Sequence, residues 1–293
     1  FIIYSSHDIM IHMKKILLIS RSYLGFIYKS IYSFLSNLVV GKKSKMILIT
    51  HNELYFLVDK NDLGVGLHLR KTGVYNQDEY DEMLKHVNNE SNVLIIGAHI
   101  GAHLIPLSKK VKHVDAIEAN PDTFEILSLN IFLNKCKNVR SYNFAAGNKT
   151  GEIEFLKSTV NSGGSKIIPK FKKLAYYYDF PKKINVEVKR VDNAFEPIYD
   201  LVTMDIEGSE YFALQGMDKI LTKCSTLILE FSPDHLKNVS NTSISDFVNL
   251  ISKYFNNLII PGQKRIFLKS DFYCILNKLN ADNKHTDNII LKK

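Results

Sequence analysis

Two rhythms of apolar residues alternate along the chain. Short continuous runs at Val93–Gly97 and Val114–Ile117 suit strands covered on both faces. Between the next strands, Phe124, Leu127, Leu129, Ile131 and Leu133 make the apolar stripe of a helix. Asn120 is its natural N-cap and Pro121 its first helical residue. The pattern continues with strands at Val139–Ala146, 152–156, 184–191, Asp200–Asp205 and Thr226–Phe231. Helices are expected from the Asp205 turn to about Leu221 and over Ile244–Phe255. Upstream, Met46–Thr50 and Leu54–Val58 read as a hairpin turning at His51-Asn52-Glu53. Gly64 and Gly66 mark a turn, and Asp78–Val87 a short helix. Leu258–Ile260, Arg265–Leu268 and Phe272–Leu276 are expected to close the sheet as an antiparallel ribbon. From Asn280 the residues turn polar and read as a frayed end.

Strands alternating with helices predict a doubly wound α/β sheet, with ligands beyond the carboxyl ends of its strands. The chemistry gathers at such ends. Gly97 and Gly101 frame a tight turn after the first core strand, where missing side chains let a ligand approach the backbone. The following helix start offers free N–H groups and a positive dipole end. Glu118 closes the next strand, where a carboxylate can accept hydrogen bonds from both hydroxyls of an adenosine ribose. The segment 92–118 therefore reads as a nucleoside-binding β-α-β unit. A second acidic cluster, Asp205 and Glu207, ends the fourth strand. As a purely structural alternative, both acids sit where a helix begins and could serve as its caps.

Composition narrows this picture only a little. The 293 residues suit one large domain, or one domain with an N-terminal extension, and 45% hydrophobic residues supply a sizeable core. The boundaries read as an extension over 1–45, a domain over 46–278 and a polar tail over 279–293. The net charge of +8 favours anionic surroundings, but the lysines are spread along the chain and nucleic acid is not the expected partner. Between the strands at 152–156 and 184–191 lies a basic insertion. It carries a flexible Asn161-Ser162-Gly163-Gly164-Ser165 loop and Lys166, Lys170, Lys172, Lys173, Lys182 and Lys183 around Tyr176, Tyr177, Tyr178 and Phe180. Its lysines would suit phosphate or carboxylate on a substrate; its plain alternative is a solvated loop. Three scattered cysteines, Cys136, Cys224 and Cys274, indicate neither a disulfide framework nor a zinc site, so a reducing, cytoplasmic setting is expected and no metal. Within 16–40, Leu17, Leu24, Tyr28, Ile31, Leu35 and Leu38 recur at helical spacing, interrupted by Arg21 and Lys29. That predicts an amphipathic helix packed on the domain, with peripheral membrane contact as the alternative.

Several of these residues come in a distinctive order: Gly97-Ala98-His99-Ile100-Gly101, Glu118-Ala119-Asn120-Pro121, Gly163-Gly164-Ser165, Val191-Asp192, Asp205-Ile206-Glu207-Gly208-Ser209-Glu210, then Gly216 and Leu229-Glu230-Phe231. With Gly73-Val74-Tyr75 ahead of them, they resemble the FkbM family of S-adenosylmethionine-dependent methyltransferases over roughly residues 54–235. The resemblance implies a class I methyltransferase sheet, Rossmann-like and mostly parallel with an antiparallel last strand, and methyl transfer to a hydroxyl oxygen of a sugar, glycan or other small metabolite. It implies that Gly97, Ala98 and Gly101 pass close to the methionine part of S-adenosylmethionine, that Glu118 holds the ribose, and that the region from Asn143 to Ala145 borders the adenine, with His99, Ala119 and Asn120 among the cofactor-binding residues. It also implies that Asp205 faces the cofactor's amino group or the acceptor, with Glu207 nearby.

Methyl transfer to an alcohol needs alignment, exclusion of water and removal of a proton. Asp205, Glu207, His99 and His103 are the candidates for that proton. Two positions depart from the family's pattern: Ile95 stands where an acid is usual, and His99 where Asn is usual. Those departures motivate an alternative, a non-catalytic relative acting as a binding or scaffold protein. A nicotinamide-dependent oxidoreductase would share the first β-α-β unit, but not the Asp-x-Glu-Gly-x-Glu turn or an antiparallel closing ribbon.

Overall fold

The computed structural model describes residues 31, 34–35, 38–173, 176–177, 179–195, 198–263, 265–281 and 286–293. Most of the helix expected over 16–40 lies outside these residues; 31, 34–35 and 38–40 are helical and exposed.

The predicted hairpin forms from β1 (Met46–His51) and β2 (Leu54–Asp59), with Asn52 and Glu53 both left-handed at its tip, at φ 46° and 64°. Two short helices follow, α1 (Val65–Thr72) and α2 (Gln77–Leu84). Where a turn was expected at Gly64 and Gly66, the first of these begins instead. The Asp62 carboxylate accepts the N–H groups of Gly64 and Gly66 at 2.8 and 3.1 Å and so satisfies donors left free at the helix start.

Among the described residues the main sheet has eight strands. Its parallel part places β3 (Asn92–Ile96) between β4 (His113–Ile117) and β10 (Leu201–Met204), with β5 (Val139–Tyr142) outside β4 and β11 (Thr226–Phe231) outside β10. Side chains alternate between two cores: Leu94 and Ile96 enter one face, Val93 and Ile95 the other. Helices α3 (Leu104–Ser108) and α4 (Pro121–Leu133) connect the first of these strands, and Asn120 caps α4 by accepting the Asp122 N–H, with Pro121 at its first position.

The chain leaves the main sheet after β5. Strands β6 (Ala145–Ala146), β7 (Gly151–Lys157), β8 (Lys166–Ile167) and β9 (Lys182–Lys189) make a second sheet in the order β6-β9-β7-β8. The run expected as one strand over 139–146 is thus divided between two sheets. The single helix expected after Asp205 is also divided, into α5 (Glu210–Gln215) and α6 (Asp218–Lys223). A Cβ on Gly216 would lie 2.0 Å from the Gly147 carbonyl oxygen, and the Asp192 carboxylate accepts the N–H groups of Lys219 and Ile220, restarting the helix there.

The far edge differs most from expectation. After α7 (Pro233–Asn238) and α8 (Ile244–Ile251), β12 (Asn257–Ile259) and β13 (Ile266–Leu268) pair antiparallel, but Phe272–Ala281 is a helix, α9. Phe272, Leu276 and Leu279 recur at helical spacing and are buried, so the apolar run Phe272–Leu276 that resembled a strand is the start of a helical stripe. The antiparallel strand is β14 (Thr286–Lys292), which lies between β11 and β12. Residues 286–292, expected as part of a frayed tail, are therefore a strand of the sheet. Ile289, Ile290 and Leu291, a run of only three apolar residues behind a polar stretch, are fully buried in the sheet. The result is the expected class I methyltransferase arrangement, a mostly parallel sheet whose last strand enters antiparallel beside β11, with β12 and β13 adding antiparallel pairs at the far edge.

Candidate active site

The strand order reverses at β3, whose neighbours β4 and β10 are reached in opposite directions. Doubly wound sheets bind ligands at that point. A cavity of about 190 Å³ opens there, lined by the turns that follow β3, β4 and β10 and walled on one side by the second sheet and the 161–165 loop.

Gly97 has φ 87°, and a Cβ on it would lie 1.9 Å from the Asp205 backbone oxygen. The glycine is required so that the ends of β3 and β10 can touch. The reason expected from sequence, room for a ligand, is secondary. Gly101, at φ 88°, packs under Leu127 and Ile105, behind the cavity. The turn between them is held from both sides: Gly97 and Ala98 donate to the Ile117 carbonyl at 2.9 Å, and the Asn130 side chain donates to that of Ile100 at 2.8 Å.

Glu118 is 8% exposed. One carboxylate oxygen accepts the His99 N–H at 2.9 Å and the other the Asn120 N–H at 2.8 Å. Burial pushes its carboxyl up to about 7, with the backbone N–H groups opposing the shift. Each oxygen keeps a lone pair for a further donor. Asn143 donates to the carbonyls of Glu118 and Ala119, so it fixes this turn from outside the cavity, as Asn120 does from the helix start. Of the residues expected at the cofactor, Gly97, Ala98, His99, Glu118, Ala119, Ala145 and Asp205 line the cavity, whereas Gly101, Asn120 and Asn143 support it.

His99 is left-handed, at φ 51°, and its Nε2 lies 2.7 Å from the Ser162 hydroxyl, which donates to Asp62 at 2.9 Å. With that hydroxyl hydrogen used on Asp62, Nε2 is the protonated nitrogen, and Nδ1 is left buried without a partner. Burial holds the imidazole pKa below its usual range, in keeping with a neutral ring. His99 therefore stitches the glycine turn to the insertion loop. His103 contacts the Tyr75 carbonyl at 3.0 Å and also lines the cavity.

On the opposite wall, Asp205, Glu210 and Glu230 bring carboxylate oxygens within 4.8 Å of one another. Enclosure in the cavity and repulsion from Glu230, Glu207, Glu210 and Glu79 raise the Asp205 pKa well above the carboxylate range. The Asp205 side chain itself faces open space, so the repulsion is the firmer cause. Glu210 is raised to about 7 by burial and by Glu230, while one of its oxygens accepts the Ile206 and Gly208 N–H groups and holds the turn. Glu207, left-handed at φ 55°, pairs with Lys166 at 2.7 Å. His235 stands between acids, its Nε2 at 3.7 Å from Glu207 and its Nδ1 at 3.6 Å from Glu230. Burial opposes charge on this imidazole, but the two carboxylates raise its pKa overall.

Lys166 and His235 were not singled out from sequence. Lys166 looked like one lysine among many in the insertion, yet it alone is buried there, while Lys170, Lys172, Lys182 and Lys183 are exposed and Lys173 bonds Asp234. His235 carried no signal beyond following the Leu229-Glu230-Phe231 strand end. Ile95, 6% exposed, lines the cavity opposite Thr203, apolar where the family's acid would stand.

The sequence model of the methyltransferase FkbM domain matches residues 96–258. Among solved structures, the chain is similar to a methyltransferase FkbM from Methylobacillus flagellatus KT, at 17% identity and a TM-score of 0.46, over 75% of this chain and 47% of that one. It is also similar to M. jannaschii TYW2 in complex with AdoMet, at 14% identity and 0.42, over 85% and 86% of the two chains. An rRNA methylase from Streptococcus thermophilus matches at 12% identity and 0.42, over 73% and 93%. The chain spans about half the length of the first of these. No curated protein matches it.

Proposed function

Since the chain belongs to the methyltransferase FkbM family, we propose that it uses S-adenosylmethionine to methylate a hydroxyl oxygen of a sugar, glycan or other small metabolite. The observation that carries this reading is Glu118: a buried carboxylate facing the cavity, oriented by two backbone N–H groups and keeping one acceptor site on each oxygen. Paired acceptors of this kind suit the two hydroxyls of a ribose. Ala98, Ala119 and Ala145 leave room beside it, and the buried, unpartnered Nδ1 of His99 is an acceptor suited to an ammonium group. The acids of the opposite wall suit a sulfonium cation.

When bound, S-adenosylmethionine supplies an electrophilic methyl group on a cationic sulfur. The chain's own part is to orient the acceptor hydroxyl and take its proton. Among the four candidates, Asp205 is the best supported. Its side chain is open to the cavity and, among the described residues, forms no ion pair, and its raised pKa makes it a stronger base than an ordinary carboxylate. Glu207 is committed to Lys166, His99 to Ser162 and His103 to the Tyr75 carbonyl.

Calorimetry with S-adenosylhomocysteine tests the reading: one site per chain is expected, and absence of any heat would sink it. Ile95 supports a second reading, a non-catalytic binding relative, because it removes a polar group from the cavity wall. In that case the unaltered protein would bind weakly and Ile95→Asp would restore affinity. We also read the protein as cytoplasmic, in keeping with three free cysteines, and as having no nucleic-acid partner; membrane contact through 16–40 stays an alternative. Among the described residues no helix is long and apolar enough to cross a membrane.

A further inference from the structure

Beyond Glu207 the structure has a second cavity, of about 120 Å³, which shares Glu207 and Asn161 with the larger one. It is built by the basic insertion. Lys166, Tyr176 and Asp179 line it, and each is more than nine-tenths buried. The Lys166 ammonium pairs with Glu207 and lies 5.2 Å from the centre of the Tyr176 ring. The Tyr176 hydroxyl is fixed on Asp234, and one oxygen of Asp179 accepts from Ser158, Thr159 and Val160.

We infer that this second cavity is the acceptor subsite, and that it takes a neutral polyhydroxylated ring rather than an anionic group. This rests on the preceding reading that the larger cavity holds the cofactor. The charges lining the subsite are one ammonium against two carboxylates, Glu207 and Asp179, so its balance is negative. A phosphate or carboxylate entering there would meet like charge with the only lysine already paired. Uncharged hydroxyls find a carboxylate oxygen and the Asn161 amide, while the apolar face of a sugar ring can pack on Tyr176. Apart from Lys166, which Glu207 already pairs, the lysines that suggested an anionic acceptor from sequence stand outside this cavity, exposed or paired. Glu207, at the seam of the two cavities, would then direct one hydroxyl toward Asp205.

The test is saturation-transfer NMR on the whole chain, with and without S-adenosylhomocysteine, using neutral methyl hexosides (glucoside, galactoside, mannoside, fucoside) against methyl glucuronide and glucose 6-phosphate. At least one neutral glycoside should bind, and the anionic probes at least tenfold more weakly. Tyr176→Leu should weaken the neutral glycoside tenfold or more and Tyr176→Phe less than threefold, with S-adenosylhomocysteine affinity within twofold in both. Anionic probes binding as tightly as neutral ones, no neutral probe binding, or an unaffected Tyr176→Leu protein would each overturn the inference. If Tyr176→Leu does not fold, the charge ranking on the unaltered protein decides alone. Failure of the cofactor reading shows separately, as loss of the S-adenosylhomocysteine signal, because the glycoside arm is also read without it.

Discussion

On the Glu118 side of the cavity, carboxylate oxygens meet backbone N–H groups, and asparagine amides meet backbone carbonyls. On the Asp205 side, four carboxylates crowd together and are answered by Lys166 and His235. Apart from the His99 Nδ1, the first wall resembles an ordinary well-satisfied interior, in which polar groups fix the shape of a turn. The second holds charge in an arrangement that a fold selected for stability alone would relieve, and perturbed groups of that kind concentrate where chemistry is done. The two walls should therefore respond oppositely to mutation. Changes on the first should damage structure or binding, while a change at Asp205 on the second should damage turnover and spare the fold.

The largest effect is expected at Gly97. An alanine there takes on an unfavourable left-handed backbone and drives a Cβ into the Asp205 carbonyl, which cannot swing away. Together these cost about 3 kcal/mol, enough to lower the melting temperature by roughly 5 °C. Gly163 lines the same cavity but its Cβ would meet nothing nearer than 3.6 Å, so Gly163→Ala should shift stability by less than about 0.5 kcal/mol. Equal melting temperatures for the two variants would break the account of the first wall.

Asp205→Asn comes next and probes the second wall. It should reduce kcat by about 100-fold or more, the usual contribution of a positioned base. The same change removes one of the crowded carboxylates, so thermal stability should rise by about 1 kcal/mol. A loss of both turnover and stability would mean that Asp205 holds the turn rather than the proton.

The same contrast explains what could be read in advance. Glycines, strand-end acids and the Asn120-Pro121 cap are local signals, and their positions in the sheet followed from spacing. The roles of Gly97 and His99 were not legible, because they depend on residues far away: a carbonyl at 205, a hydroxyl at 162 and a carboxylate at 62. Lys166 was hidden for the same reason, since nothing local distinguishes a buried lysine from its exposed neighbours. The closing strand escaped because its three apolar residues follow a polar stretch, whereas Phe272–Leu276 offered a longer apolar run with the wrong period.

Glu118→Ala returns to the first wall with a smaller effect. It removes a charged acceptor and leaves the His99 and Asn120 N–H groups without their partner. Affinity for S-adenosylhomocysteine, measured by calorimetry, should fall roughly 10- to 100-fold, the range for hydrogen bonds to a charged group. A variant binding within threefold of the unaltered protein would remove Glu118 from the cofactor site.

The smallest effect is a pH dependence in which one ionisation acts in two directions. The Glu118 carboxyl is raised from 4.5 to about 7 in the folded protein. Between those values the folded state holds a proton that the unfolded chain has released. The stability this group contributes is therefore complete below pH 4.5 and is lost as pH rises through 7. Ribose hydroxyls, in contrast, donate best to the ionised form. Affinity for S-adenosylhomocysteine should then increase by roughly tenfold from pH 6 to pH 8 and level off above it, a change of about one pKa unit in binding free energy. Asp205 and Glu210 are raised as well and tilt stability in the same direction, so the stability trend alone does not identify Glu118. Glu118→Gln separates them, since it removes this titration and leaves the acids of the other wall in place. Its binding should be weak and flat across the range, whereas a slope that persists in Glu118→Gln would assign the titration to the Asp205 side.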